Sequence, residues 1–290
     1  MIYVIMGPTC SGKTELANYL IDKLHCDAIN FDAFQIYKDM DIGTAKILKG
    51  DPHYSKYHLL DIKTPDETFS VMEYQTYCRK ELDSILSTDK DVVLVGGTGL
   101  YIRAALFDYQ FEKEDMPVDE DLNELSNEEL HALLERLDFV ESKKIHVNNR
   151  KRLLRAISLI RHTSKKKTEI ISSQEHKPIY KDVRFIFICP NRDTLYENIN
   201  SRVLKMMENG LVDEVKNLLN KYQLSLTASQ GIGYKEVIDY LQNKIKYEEC
   251  VELIQKRTRN YAKRQVTFFK NQFDSETFSS LEDVIERMKI

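Results

Sequence analysis

Residues 7–14, GPTCSGKT, constrain this 290-residue chain more than any other stretch. They fit GxxxxGK[ST], where glycines let backbone N–H groups converge on phosphate oxygens, the lysine neutralises charge and the hydroxyl residue binds Mg²⁺. Those positions are Gly7, Gly12, Lys13 and Thr14, with Pro8, Thr9, Cys10 and Ser11 as the body of the loop. A short apolar run, Ile2–Met6, precedes the loop, and Leu16, Leu20, Ile21 and Leu24 follow it at helical spacing. Strand, loop and helix in that order commit the chain to a sheet with a phosphate site at its edge.

Further runs at 27–32 (DAINFD), 91–95 (DVVLV) and 183–189 (VRFIFIC, closed by Pro190) predict three more strands. Helix is predicted between Val71 and Leu86. Everything after residue 189 reads as helical, chiefly 195–207, 211–219 and 247–269. Alternating strands and helices predict an α/β fold: a P-loop NTPase-like parallel sheet covered on both faces, with a helical C-terminal part. Residues 113–181 carry no convincing strand, whereas 122–137 and 150–160 show helical periodicity. The expected organisation is therefore a core of 1–112 and 182–290 with a helical insertion domain at 113–181.

Charge is unevenly distributed in a chain of formal net charge −4. Residues 108–138 hold twelve Asp or Glu against one Lys and one Arg, while 143–167 hold ten Lys or Arg and no carboxylate. A second acid-free stretch, 255–272, carries Lys256, Arg257, Arg259, Lys263, Arg264 and Lys270. Two basic surfaces on an acidic protein suit a polyanionic partner, although solvated helix faces explain the same pattern. The five cysteines are scattered without CxxC spacing, which fits a reducing cytoplasm and no zinc site. No apolar run approaches the ~18 residues of a membrane span, and MIYVIM lacks the basic leader of a signal peptide. Without a heptad or apolar stripe, a monomer is expected.

The remaining motifs concern chemistry. A P-loop ATPase needs an acidic residue at the end of a neighbouring strand to help hold Mg²⁺, but DVVLV runs into Gly96-Gly97-Thr98-Gly99. That weakens a motor or switch reading and favours a transferase. Asp32 ends the second predicted strand, where open α/β sheets place ligands; it can serve as a general base or simply cap a turn. Gln35 and Tyr37 beyond it supply a polar and an aromatic group of the kind that reads and stacks a nucleobase. Thr98, among glycines, can present a hydroxyl to a substrate or mark a plain turn.

Taken together, these segments resemble the tRNA dimethylallyltransferases, also called tRNA isopentenyltransferases. The resemblance runs through GPTCSGKTELA, DAFQIYKDMDIGTAK, YHLLDI, PDETFSVMEYQ, VGGTGLYI, HVNNRKRLLRAI, GLVDEV, GIGYKE and TRNYAKRQVTFFK, in the family's order. It implies transfer of a dimethylallyl group from dimethylallyl diphosphate to N6 of adenine 37, beside the anticodon of tRNA. It also implies that Ser11, Lys13 and Thr14 hold the diphosphate and Mg²⁺, that Asp32 is the general base, and that Thr98 lies near the leaving oxygen. Arg202 resembles a family arginine that reaches the diphosphate. Ala33, Phe34 and Gln35 follow the base, Gln35 being expected to hold the displaced adenine. Lys151, Arg152 and Arg155 match a tRNA-contacting segment of the insertion, and Arg259, Lys263, Arg264 and Gln265 lie on the second basic stretch. The chain departs from the family pattern at Val147, Asn149, Asn198 and Phe268, the last replacing a tryptophan, and 162–174 lacks the usual TG. The lack of a C-terminal zinc-finger extension favours a bacterial-type enzyme. Two other classes remain open: a small-molecule or nucleotide kinase using Lys13 with ATP and Asp32 as base, and an ATP-regulated RNA-binding protein.

Overall fold

A computed structural model describes residues 1–111, 119–163, 165–166, 168–169 and 177–289. Six parallel strands form one sheet: β1 (Ile2–Met6), β2 (Asp27–Asn30), β3 (Tyr57–His58), β4 (Val92–Gly96), β5 (Val183–Ile188) and β6 (Glu276–Phe278), in the order β3-β2-β4-β1-β5-β6. The sheet's long strands read as unbroken apolar runs because both faces are covered. Tyr3 and Ile5 of β1, Val93 and Val95 of β4, and Ile186 and Ile188 of β5 share a core with Leu16, Leu20 and Ile21 of helix α1 (Lys13–Leu24). On the other face, the Tyr74 hydroxyl of α2 (Val71–Leu86) donates to the Asn30 carbonyl at 3.2 Å.

Register decides where the loops emerge. Met6 pairs with Gly96 and Phe187, and Asn30 pairs with Val95, so the carboxyl ends of β1, β2 and β4 finish on one edge. Residues 7–14, Asp32 and Gly96–Gly99 leave from that edge together.

Several expectations need correction. The region after residue 189 is not wholly helical, since β6 adds a parallel edge strand to β5. The short ETF segment buries only Phe278, too little alternation to register as a strand. The small strand β3 was not foreseen either, because its two residues are only half-buried. The expected strand at 27–32 ends at Asn30, beyond which the chain turns around Asp32. The helices after β5 are α8 (Arg192–Glu208), α9 (Leu211–Lys221), α10 (Leu226–Ser229), α11 (Tyr234–Leu241), α12 (Tyr247–Gln272) and α13 (Leu281–Met288), numbered after the helices of the insertion given below.

The chain divides into two compact units, Met1–Leu106 with Tyr180–Ile290, and Phe107–Ile179. The expected boundary between 112 and 113 lies outside the described residues, as does part of 162–174. The second unit contains α4 (Glu120–Asn123), α5 (Asn127–Leu137), α6 (Phe139–Ser142) and α7 (Arg150–Thr163), following α3 (Gly99–Leu106) in the chain. Its core includes Leu122, Leu130, Leu134, Leu153 and Ile157. The single helix expected at 122–137 is broken because Ser126 starts α5 with a capping box. Its hydroxyl accepts from Glu129 N–H at 3.2 Å while Glu129 accepts from Ser126 N–H at 2.8 Å.

The same device starts α2: Ser70 accepts from Glu73 N–H at 3.1 Å, and Glu73 accepts from Ser70 N–H at 2.9 Å. Ser70→Ala removes one acceptor and should lower unfolding free energy by about 1 kcal/mol, with an unchanged denaturant slope in urea titrations.

Candidate active site

The glycine loop meets helix α1 at Gly12, whose left-handed φ of 90° turns the chain so that the first helical N–H groups face outward. Cys10 to Glu15 form one wall of a cavity of about 610 Å³; Ala45 to Leu48, Gly50, Asp51 and Arg202 complete it. A smaller pocket adjoins it, lined by Lys13, Thr14, Asp32, Gln35, Gly96, Gly97, Arg202 and Gln265 among others. The sheet edge therefore brings the phosphate loop, the candidate base and the candidate arginine to one place.

Cations concentrate at the loop. Arg202 reaches in from α8, donating to Thr9 Oγ1 at 3.2 Å and to Cys10 Sγ at 3.4 Å. Lys13 Nζ donates to the Pro8 carbonyl at 2.6 Å. Burial and the nearby Arg202 guanidinium push Lys13 down to about 8, against the opposing pull of Asp32 and Cys10. Ser11 is buried and its Oγ has no hydrogen-bond partner among the described residues. Two crowded cations and an unpartnered hydroxyl at a helix N-terminus make a site suited to an anion with several oxygens. Asn198, one of the departures from the family pattern, donates to the Cys10 carbonyl at 3.5 Å.

The two carboxylate oxygens of Asp32 are engaged differently. Oδ1 accepts from Phe34 N–H at 2.9 Å, capping the turn after β2, while Oδ2 has no hydrogen-bond donor among the described residues. The turn is held from behind by Thr98, whose Oγ1 accepts from Ala33 N–H at 3.1 Å. Nearby, the Tyr261 phenol has its pKa raised by burial and then by the Asp32 charge. Thr98, expected near the leaving oxygen, lines neither cavity. Gln35 lines the pocket, its amide nitrogen donating to the carbonyls of Thr44 at 3.1 Å and Ala45 at 3.5 Å.

Gln265, expected on the basic surface, is buried. Its Oε1 accepts from Thr9 N–H and its Nε2 donates to Gly97 O, both at 2.9 Å. Gly97 permits this approach, since a Cβ there would lie 2.3 Å from Nε2. Arg259 binds Asn200 at 2.5 Å, whereas Lys263 and Arg264 are exposed and border a shallow cavity with Phe268. Phe268 packs edge-on against Phe269. In the insertion, Lys151, Arg152 and Arg155 are exposed on α7. Asn149 caps that helix, accepting from Arg152 N–H at 3.4 Å, a role Asn fills as well as Asp. Val147 is half-buried just before it.

Residues missed from the sequence line or brace the walls. Lys46 is buried, paired with Asp61 at 2.5 Å and Asp41 at 2.7 Å, and Glu214 and Tyr234 anchor 41–43. Their signal was a set of motifs, DIGTAK, GLVDEV and GIGYKE, far apart in sequence and meaningful only together.

Residues 35–272 match the family model described as IPP transferase. The chain belongs to that family. A tRNA dimethylallyltransferase of Anoxybacillus flavithermus is 38% identical over 100% of this chain and 93% of its own length. One from Bacillus cereus is 40% identical over 94% and 88%. Among solved structures, a tRNA delta(2)-isopentenylpyrophosphate transferase of Staphylococcus epidermidis superposes with TM-score 0.72 at 36% identity, covering 99% of this chain and 97% of that one. A eukaryotic dimethylallyltransferase acting on tRNA gives TM-score 0.82 at 25% identity, over 98% and 75%. These members share the P-loop α/β sheet of this chain. No helix among the described residues is long and apolar enough to cross a membrane.

Because a phosphate ligand favours protonated Lys13, affinity for a fully ionised diphosphate should weaken as pH rises through about 8. The loss should approach roughly tenfold per pH unit above that point. Calorimetry with a thiolodiphosphate analogue checks this, and Lys13→Gln should bind weakly with no such inflection.

Proposed function

We propose that this member of the family transfers the dimethylallyl group of dimethylallyl diphosphate to N6 of adenine 37 in the anticodon stem-loop of tRNA. The observation that carries the reading is Asp32 Oδ2, without a hydrogen-bond donor among the described residues, in a pocket that also contains Lys13 and Arg202. A base on one side and an anion grip on the other suit displacement at carbon, with diphosphate leaving. Membership of the IPP transferase family supports the same chemistry.

The exocyclic amine of adenine is a poor nucleophile because its lone pair is delocalised into the ring. As the N6–C1 bond forms, one N6 proton passes to Asp32 Oδ2. The C1–O bond breaks, and its electron pair leaves with the diphosphate. Lys13, Arg202 and the N–H groups at the start of α1 stabilise the charge gathered on the departing oxygens. Thr98 fixes the turn that aims Asp32, and Gln35 faces the displaced base. Extruding that base costs about a few kcal/mol, offset by contacts in the pocket.

The donor set fits Mg²⁺ held mainly by the substrate. No cluster of three His, Cys, Asp or Glu suited to a metal occurs among the described residues. Thr14 supplies an exposed hydroxyl at the cavity, and Mg²⁺ readily takes its other ligands from phosphate oxygens and water. When bound, the ion would neutralise charge on the diphosphate.

Incubation with unmodified tRNA and labelled dimethylallyl diphosphate tests the reading: label should enter tRNA, and ATP should not be consumed. No label, with ATP turnover, would replace the reading with the kinase alternative. Asp32→Ala should lower turnover of the saturated complex by about 100-fold to 10,000-fold while tRNA affinity stays nearly unchanged.

Lys151, Arg152 and Arg155 are the insertion's candidate phosphate contacts, with Arg259, Lys263 and Arg264 serving on α12. Arg152→Ala should weaken tRNA binding and reduce the magnitude of its log–log salt slope by about 1, read by filter binding across a salt series.

A further inference from the structure

Glu214 is a heavily engaged carboxylate outside the reacting pocket. It lies in the first turn of α9 and accepts hydrogen bonds from three successive backbone N–H groups, Asp41 at 3.0 Å, Ile42 at 2.6 Å and Gly43 at 3.1 Å. The Tyr234 hydroxyl adds a fourth at 2.7 Å. Tyr234 is buried against Gly43, where a Cβ would come within 2.5 Å of its ring. One anion thus fixes three donors that no regular secondary structure satisfies.

The segment so anchored is a wall of the site. Ala45 N–H bonds back to Ile42 O at 3.0 Å, and Lys46 N–H to Asp41 O at 3.1 Å, so the hold on 41–43 extends to Thr44 and Ala45. Their carbonyls receive the Gln35 amide, and Thr44, Ala45 and Gln35 face the pocket that contains Asp32. A path of direct hydrogen bonds therefore runs from Glu214 through 41–45 to Gln35.

We propose that Glu214 is a positioning residue for the acceptor base, acting through residues 41–45 on Gln35; this rests on the prenyl-transfer reading above. Glu214→Gln keeps size but replaces an all-acceptor group with one acceptor oxygen and one NH₂, so the three N–H groups can no longer all be satisfied. Its expected effect is a fall in turnover of about tenfold or more at saturating substrates, as expected when a reacting group is misplaced. Binding of the thiolodiphosphate analogue should change little, because Lys13 and Arg202 are untouched.

A double-mutant cycle with Gln35→Ala separates this role from general support. If Glu214 acts through Gln35, the double variant is no slower than the slower single variant, and hydrogen exchange of 41–43 quickens in Glu214→Gln. Multiplicative losses in turnover, or unchanged exchange, overturn the proposal. If Glu214→Gln does not fold, Glu214→Asp, one methylene too short to reach all three amides, enters the same cycle. Absence of prenyl transfer by the unaltered protein would count against the functional reading, while the exchange of 41–43 would still report on the Glu214 contact.

Discussion

The side-chain amide of Gln265 joins loops that the sheet alone only brings near each other. Its oxygen accepts from Thr9 in the phosphate loop and its nitrogen donates to Gly97 after β4. Strand register places those loops on one edge, but side-chain chemistry needs finer control than a shared edge provides. A buried amide with both ends satisfied supplies it, because moving either loop would leave a polar group unpaired. Through Gly97 the clamp borders the neighbouring turn, where Thr98 binds Ala33 and Ala33 precedes the Phe34 N–H that orients Asp32. The phosphate grip and the candidate base are consequently set relative to each other by short hydrogen bonds.

This explains which parts of the site were legible in the sequence. The glycine loop could be read because its chemistry is local: a strand, a turn with left-handed Gly12 and a helix lie within consecutive residues. Asp32 could be read as a candidate for the same reason, although the sequence could not show that Oδ1 caps the turn. Gln265 was misplaced on an exposed basic surface because residues 255–272 look uniformly basic, whereas helical geometry turns Gln265 inward and leaves Lys263 and Arg264 outward. Glu214 and Lys46 were missed because each acts on backbone or charges remote in sequence, and no periodicity reports such a contact. Strand β6 escaped for a simpler reason, having one buried apolar residue in three.

The electrostatics of the phosphate loop follow from the same packing. Among the described residues no carboxylate is directly bound to Lys13 or Arg202, and burial and the Arg202 charge lower the basicity of Lys13. Mutual repulsion of this sort makes a multiply charged anion the natural completion of the site. It also fits a chain in which DVVLV leads to glycines: under the proposed reading the cations stabilise a leaving group, and no acidic strand end is required to organise attack on a phosphorus atom.

The insertion's charge pattern resolves differently from its composition. Arg150 donates to the carbonyls of Leu125 at 2.6 Å and Asn123 at 2.8 Å, binding the chain between α4 and α5. Arg161 pairs with Asp121 at 2.9 Å, and Lys143 with Glu135 at 2.7 Å. Part of the acidic and basic segregation is thus internal pairing between helices that fold onto one another. Lys151, Arg152 and Arg155 stand apart, exposed along α7. A basic run in a sequence therefore overstates the surface available to a polyanion, and the exposed charges that remain define a narrower face on which phosphate contacts can form.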